Sequence, residues 1–151
     1  MLTFPETEKK LKSRITSYNS AMQKEKKMFG AIHDGSGKRY DLFCFYFILN
    51  DLEKSIKYFN WYKSEFPDDG GEPFQKLCWA LSLFRMNHLA EAKCMLGDLM
   101  ITNLYLIPNI IGQPVREYDI WHSSSDTYLE FVNYLPDEVR NAIKASELEW
   151  I

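Results

Sequence analysis

The sequence predicts an all-α protein that forms one domain. Apolar residues recur at the three- and four-residue steps of a helix, turn residues interrupt the chain at short intervals, and no stretch alternates long enough to form a sheet. A length of 151 residues and an apolar content of 46% are typical of one domain with a sizeable core. We expect about six or seven helices, arranged as antiparallel hairpins between an N-terminal capping helix and a C-terminal capping segment.

The first helix is predicted over residues 5–29. Thr3 and Glu6 match a capping box, in which each side chain satisfies a backbone N–H of the other residue. Gly35 and Gly37 interrupt the chain beyond this helix, since glycine is a poor helix former. A narrow apolar stripe marks the buried face of the helix, formed by Leu11, Ile15, Tyr18, Met22 and Phe29.

Two pairs of helices follow, and each pair is joined by a two-residue turn. The four predicted helices are Lys38–Leu49, Leu52–Phe66, Glu72–Met86 and Leu89–Thr102. The turns are Asn50-Asp51 and Asn87-His88, and they stand 37 residues apart. The same helix–turn–helix unit therefore occurs twice.

This internal repeat resembles the tetratricopeptide repeat (TPR) family, with one unit over residues 36–69 and a second over residues 70–104. Its spacing is close to the 34-residue period of that family. Phe43 and Leu104 depart from the family pattern, which has a small residue and a proline there. Small residues do stand where the paired helices of TPR proteins approach closely, at Ser55, Ala80 and Ala92.

The resemblance implies a groove for a protein partner. In TPR proteins the first helix of each hairpin lines a concave surface that holds a peptide, and in this chain the corresponding positions are apolar. An apolar groove needs a cover, because soluble monomers rarely expose large apolar patches. Either residues 104–134 of the chain cover it, or an apolar helix or strand of a partner does. The partner-binding groove predicted by this register consists of Tyr40, Cys44, Phe47, Leu77, Leu81 and Phe84.

Residues 105–151 depart from the repeat and are predicted to form an irregular cap. Two prolines and a glycine within residues 107–114 indicate extended or turned backbone. A short helix is expected over residues 127–134. A last helix is expected over residues 136–151, with proline and acidic residues in its first turn. Its predicted buried stripe is Val139, Ile143, Ser146 and Trp150.

The charge distribution argues against a nucleic-acid partner. The chain holds 18 basic and 21 acidic residues, for a net charge of −3. Residues 1–39 contain nine basic and four acidic residues, and the remainder is acidic. Such a basic run usually forms a solvated helix face, and its few lysines would make few contacts with the phosphate backbone of a nucleic acid.

The sequence predicts neither a membrane span nor a metal or cofactor site. Its longest unbroken apolar run, Leu42–Leu49, is far shorter than the roughly 20 residues that cross a bilayer. The N-terminus lacks the apolar region of a secretory signal, so we expect a cytoplasmic protein. The three histidines lie far apart without metal-ligand spacing. Three cysteines set among apolar neighbours indicate reduced, buried thiols rather than a disulfide framework; they are Cys44, Cys78 and Cys94.

These observations favour a non-enzymatic protein–protein interaction module, either an adaptor or a small chaperone-like TPR protein. A homodimer is one form in which such a module could occur. One alternative is an inhibitor, such as an immunity protein, that blocks a toxin or an enzyme through an acidic, aromatic surface. Another alternative is a small all-α enzyme with its site at the His122 loop, near Asp119 or Asp126.

Overall fold

A computed structural model describes residues 4–151, and within that range it is 68% helical with no strand. The prediction of an all-α fold is therefore confirmed. Two 3₁₀ segments, Ser125–Thr127 and Leu129–Tyr134, accompany the α-helices. The α-helices are α1 (Glu8–Phe29), α2 (Lys38–Leu49), α3 (Leu52–Glu65), α4 (Pro73–Arg85), α5 (Leu89–Thr102), α6 (Leu106–Ile110), α7 (Asp137–Ala142) and α8 (Ala145–Trp150).

Helix α1 begins at Glu8, three residues later than predicted. Thr7 is its N-cap, and the Thr7 hydroxyl accepts a hydrogen bond from the backbone N–H of Lys10 at 3.3 Å. The predicted cap at Thr3 lies outside the described residues. The apolar stripe buries Leu11, Ile15 and Met22, but Phe29 at the end of the helix is 63% exposed.

The two central helix pairs follow the sequence closely. Helices α2 and α5 have the predicted bounds, and α3 and α4 differ from the predicted bounds only at their ends. Asn50 and Asn87 adopt left-handed backbone with φ of 52° and 60°, a conformation that asparagine tolerates better than most residues. This local preference explains why both turns could be read from the sequence.

The core lies around α2 and α4, which pack against each other. Helix α2 also contacts α1 and α3, and α4 contacts α5. Phe43 is fully buried and stacks on Phe59 with ring centroids 4.9 Å apart. The centroid of the Trp79 ring lies 5.0 Å from that of Phe43. Thus the position where the TPR pattern has a small residue holds the centre of an aromatic cluster. The small residues Ser55, Ala80 and Ala92 are fully buried.

Two predictions for the C-terminal third are wrong. Residues 107–114 do not form only extended or turned backbone, because α6 covers the first part of that range. The Asn103 side chain starts this helix by accepting hydrogen bonds from the backbone N–H groups of Tyr105 and Leu106, each at 2.9 Å. The predicted last helix is interrupted at Ile143 and Lys144, whose backbone is extended.

The buried face of the last segment also differs from the predicted stripe. Val139 is fully buried as expected, but Ser146 is exposed and Glu147 is 1% exposed in its place. The Glu147 carboxylate accepts a hydrogen bond from the backbone N–H of Lys144 at 2.7 Å, which caps the start of α8. Among the described residues, no helix combines the length and the apolar character that crossing a membrane requires.

The three cysteines differ from one another in exposure. Cys44 of α2 and Cys78 of α4 are buried and free, with their Sγ atoms 3.6 Å apart. The hydrogen bond with Cys78 and burial raise the pKa of Cys44 well above its ordinary value. Cys94 is exposed on α5, so the prediction of three buried thiols is wrong at this position.

Candidate partner-binding groove

The structure brings the six predicted groove residues together on the packed faces of α2 and α4. Tyr40 and Phe84 are partly buried, and the other four are at most 1% exposed. These residues do not form an open surface in this structure, because α2 and α4 pack against each other and residues 129–150 pack against both helices. The four buried residues are Cys44, Phe47, Leu77 and Leu81.

Residues 129–150 of the same chain provide the cover. Phe131 stacks on Phe74 and Trp150 stacks on Phe84, each with ring centroids 4.6 Å apart. Helix α7 packs against α2. Of the two covers that the sequence left open, a segment of the chain itself is the one present, but it overlaps the predicted residues 104–134 only at residues 129–134.

Two aromatic residues within the predicted cover, residues 104–134, lie outside the groove. Tyr118 is 46% exposed and Trp121 is 86% exposed, so neither is buried in the groove. Tyr105 is fully buried, and its hydroxyl accepts a hydrogen bond from the backbone N–H of Tyr118 at 3.1 Å. These contacts hold the loop after α6 in place and leave Trp121 in solvent.

An ion pair between Arg85 and Glu147 joins the cover to the groove. The Arg85 Nε lies 2.5 Å from the Glu147 Oε1, and the two side chains are only 6% and 1% exposed. Arg85 also donates to the backbone oxygens of Ala142 at 2.7 Å and Phe47 at 3.0 Å. Its guanidinium carbon lies 4.0 Å from the centroid of the Phe47 ring. A buried charge that is held by this many partners fixes the position of the C-terminal segment.

Sequence reasoning missed this ion pair. Arg85 stands in the last turn of α4, where a basic residue is expected simply from the helix dipole. Glu147 lies 62 residues away and is one of several acidic residues near the C-terminus. No pattern in the sequence distinguishes Glu147 from its exposed neighbour Glu149.

A second polar network fixes the start of α2. Arg39 donates from Nε to Asp69 at 2.6 Å and from Nη1 to Asp34 at 3.2 Å. The Tyr40 hydroxyl donates to Asp69 at 2.7 Å and accepts from the Arg39 Nη2 at 2.6 Å. Burial and the hydrogen bond to Asp69 raise the pKa of Tyr40 to about 12. The hydroxyl of Tyr40 is therefore hydrogen-bonded to residues of its own chain.

A cavity of about 340 Å³ lies where the C-terminal segment meets the N-terminal ends of α2 and α4. Tyr134 and Phe131 line it from the segment, and Asp41 and Glu72 line it from the groove. Burial raises the pKa of Glu72 to about 7, and burial together with the nearby Asp34 raises the pKa of Asp41 to about 6. This edge of the cover therefore contains carboxyl groups that change charge close to neutral pH.

His122, the candidate site of the enzyme alternative, contacts residues that are close to it in the chain. The His122 Nδ1 lies 3.1 Å from the Thr127 hydroxyl, and the imidazole stacks on Tyr128 with centroids 4.2 Å apart. The Asp126 carboxylate accepts a hydrogen bond from Ser124. Within residues 4–151, no group of three or more His, Cys, Asp or Glu side chains has the geometry to hold a metal ion.

Comparison with known proteins returned no match to a family model, to a curated protein or to a solved structure.

Proposed function

We propose that this chain is a non-catalytic protein-binding module with TPR-like hairpins, acting as an adaptor or a small chaperone. The observation that supports this proposal is that residues 129–150 lie on the α2/α4 face as short helical pieces. A face that accommodates such a segment of its own chain has the shape and chemistry to accept a similar segment of a partner. The partner then takes the place of the chain's own cover.

The contacts of the cover define the chemistry of the partner. Arg85 pairs with the carboxylate of Glu147, and Phe84 stacks on Trp150, which follows Glu147 by three residues. Leu135 and Val139 add apolar side chains that are at most 5% exposed. We therefore infer a partner segment that is largely apolar and helical, with an acidic residue followed three positions later by an aromatic residue.

A labelled peptide with the sequence of residues 128–151 tests the proposal as a stand-in for the partner. It is titrated into the full-length protein and into the Glu147→Gln variant, with binding followed by fluorescence anisotropy. The variant weakens the internal contact of Arg85, so a larger fraction of molecules has an open groove. We expect the peptide to bind Glu147→Gln at least about tenfold more tightly than the unchanged protein.

Glu149→Gln is the matched control, because Glu149 lies on the same helix and is exposed. It should bind the peptide like the unchanged protein. In the Glu147→Gln background, Phe84→Ala removes the stacking partner of Trp150 and should weaken peptide binding. The proposal fails if Glu147→Gln keeps its helical circular dichroism but binds the peptide no better than Glu149→Gln does.

A further inference from the structure

Two clusters of exposed apolar side chains lie at the end of α1 and in the loop that follows α6. The first, in residues 24–29, is called the α1 patch, and its Met28 and Phe29 are 62% and 63% exposed. The second, in residues 116–121, is called the tryptophan loop after Trp121, which is 86% exposed. Large apolar side chains that are exposed side by side mark binding surfaces, because their contact with water is unfavourable.

The tryptophan loop is held in place on both sides of Trp121. Before it, Tyr118 stacks on the buried Tyr105 with ring centroids 5.5 Å apart, and the Tyr105 hydroxyl accepts a hydrogen bond from the Tyr118 backbone N–H at 3.1 Å. After it, the imidazole of His122 stacks on Tyr128 with centroids 4.2 Å apart. An anchored loop loses little conformational freedom when it binds, which favours association through its exposed side chain.

The two surfaces carry opposite charge. The α1 patch contains three basic residues and one acidic residue, whereas the tryptophan loop contains Arg116 and two acidic residues. In the part of the chain that the structure describes, the side chains of Lys24 and Lys27 are exposed and form no ion pair or hydrogen bond. The same holds for Glu117 and Asp119 of the loop. The free charges of each surface are therefore complementary to those of the other.

Both surfaces lie at the same end of the helical stack. Lys26 in the last turn of α1 lies 2.5 Å from Glu65 at the end of α3, and α5 ends on the same side because α4 returns the chain between them. The Asn103 Nδ2 donates to the backbone oxygen of Asp126 at 2.7 Å, which ties the segment after the tryptophan loop to the end of α5. A two-fold axis that passes between the two surfaces can therefore place each one opposite its complement in a second copy.

We propose that the α1 patch of one copy of this chain binds the tryptophan loop of a second copy, in a closed two-fold dimer. Trp121 of one copy packs against Phe29 of the other, and Lys27 pairs with Asp119 across the interface. Two-fold symmetry forms each of these contacts twice, which doubles the buried area. The α2/α4 groove takes no part in this interface, so the inference does not depend on the proposed protein-binding function.

Sedimentation velocity of the full-length protein from about 1 to 200 µM tests the dimer. We expect the sedimentation coefficient to rise with concentration to the value of a dimer and no further. Phe29→Ser and Trp121→Ser should each weaken dimerisation about tenfold or more, because tryptophan and other large apolar side chains dominate binding energies at interfaces. Leu89→Ser is the control, since Leu89 is exposed at the start of α5, away from both surfaces, and its loss should leave dimerisation unchanged.

Charge exchange identifies the pairing between the two surfaces. Lys27→Glu and Asp119→Lys should each weaken dimerisation by placing like charges together, and the double variant should restore it with the net charge of the unchanged chain. Lys9→Glu has the same net charge as Lys27→Glu but lies at the start of α1, so it should dimerise normally.

Three results of these experiments would overturn the inference. The first is a folded protein that stays monomeric at every concentration, which would leave the two surfaces to a different partner. The second is an assembly that grows beyond a dimer, because a closed two-fold arrangement stops at two copies. The third is a double variant that dimerises no better than the two single charge variants.

Discussion

Tyr58 and Tyr62 lie one turn apart on α3 and are almost equally buried, with 5% and 4% exposure. The Tyr58 hydroxyl donates to the backbone oxygen of Arg39 at 2.7 Å, whereas the Tyr62 hydroxyl lies beside the side chains of Gln75 and Asp69 without a well-aligned hydrogen bond to either. Burial raises the pKa of both phenols above the ordinary value, so both stay protonated at neutral pH. The two buried hydroxyls therefore differ in how well each is hydrogen-bonded.

This difference predicts that the same substitution lowers the free energy of unfolding more at Tyr58 than at Tyr62. Tyr58→Phe removes a made hydrogen bond and leaves the Arg39 carbonyl without it, so the free energy of unfolding should fall by about 1–2 kcal/mol. Tyr62→Phe removes a hydroxyl that makes no well-aligned hydrogen bond, so the free energy of unfolding should change by less than about 1 kcal/mol. Urea unfolding of both variants measures the difference. Equal losses would contradict the contrast between the two hydroxyls.

At the scale of the helix, Glu72 is in an unfavourable position for a charge. It caps α4 by accepting hydrogen bonds from the backbone N–H groups of Gln75 at 2.6 Å and Phe74 at 3.1 Å. Burial nevertheless raises its pKa from the ordinary 4.5 to about 7, and neighbouring Asp41 adds to the rise. The folded protein therefore binds a proton at Glu72 more tightly than the unfolded chain does.

The raised pKa of Glu72 gives stability a definite dependence on pH. Between the unfolded and folded pKa values the native state holds more protons, so the free energy of unfolding falls as pH rises. We expect a loss of about 2 kcal/mol between pH 5.5 and 7.5 from Glu72. Asp41, whose pKa is raised to about 6, adds a smaller loss in the lower part of this window.

Urea unfolding at the two pH values checks this prediction with Glu72→Gln as the comparison. The variant has no titrating group at this position, so it should be less sensitive to pH than the unchanged protein. Glu149→Gln, which changes an exposed residue, should retain the original dependence. A free energy of unfolding that rises from pH 5.5 to 7.5 would contradict the assigned pKa.

The elements that could be predicted from the sequence are those with local signals. Asn50 and Asn87 mark turns through their own backbone preference, and the helices between them have the expected bounds. The last segment could not be predicted in the same way. The break at Ile143 and Lys144 follows from the burial of Glu147, which depends on Arg85 of a distant helix. Contacts of this range leave no periodic pattern in the sequence.

At the scale of the whole molecule, the uneven charge is partly offset by packing. The basic helix α1 lies against α2, and the Lys26 ammonium lies 2.5 Å from the Glu65 carboxylate of α3. The predicted repeat register named six candidate groove residues, which lie on α2 and α4, two helices that pack against each other. It did not identify their cover, because residues 129–150 fold into pieces too short to show a helical period.

The rate at which Cys44 and Cys78 are alkylated measures how often α2 separates from α4. Their thiols face each other across the junction of these helices and are shielded from solvent, whereas Cys94 is accessible on α5. With iodoacetamide, one adduct should form quickly at Cys94, and the other two should follow slowly at a shared rate set by opening of the junction. Glu147→Gln should accelerate only the slow phase, as read by mass spectrometry. Three adducts forming at one rate would show that the junction is not closed in solution.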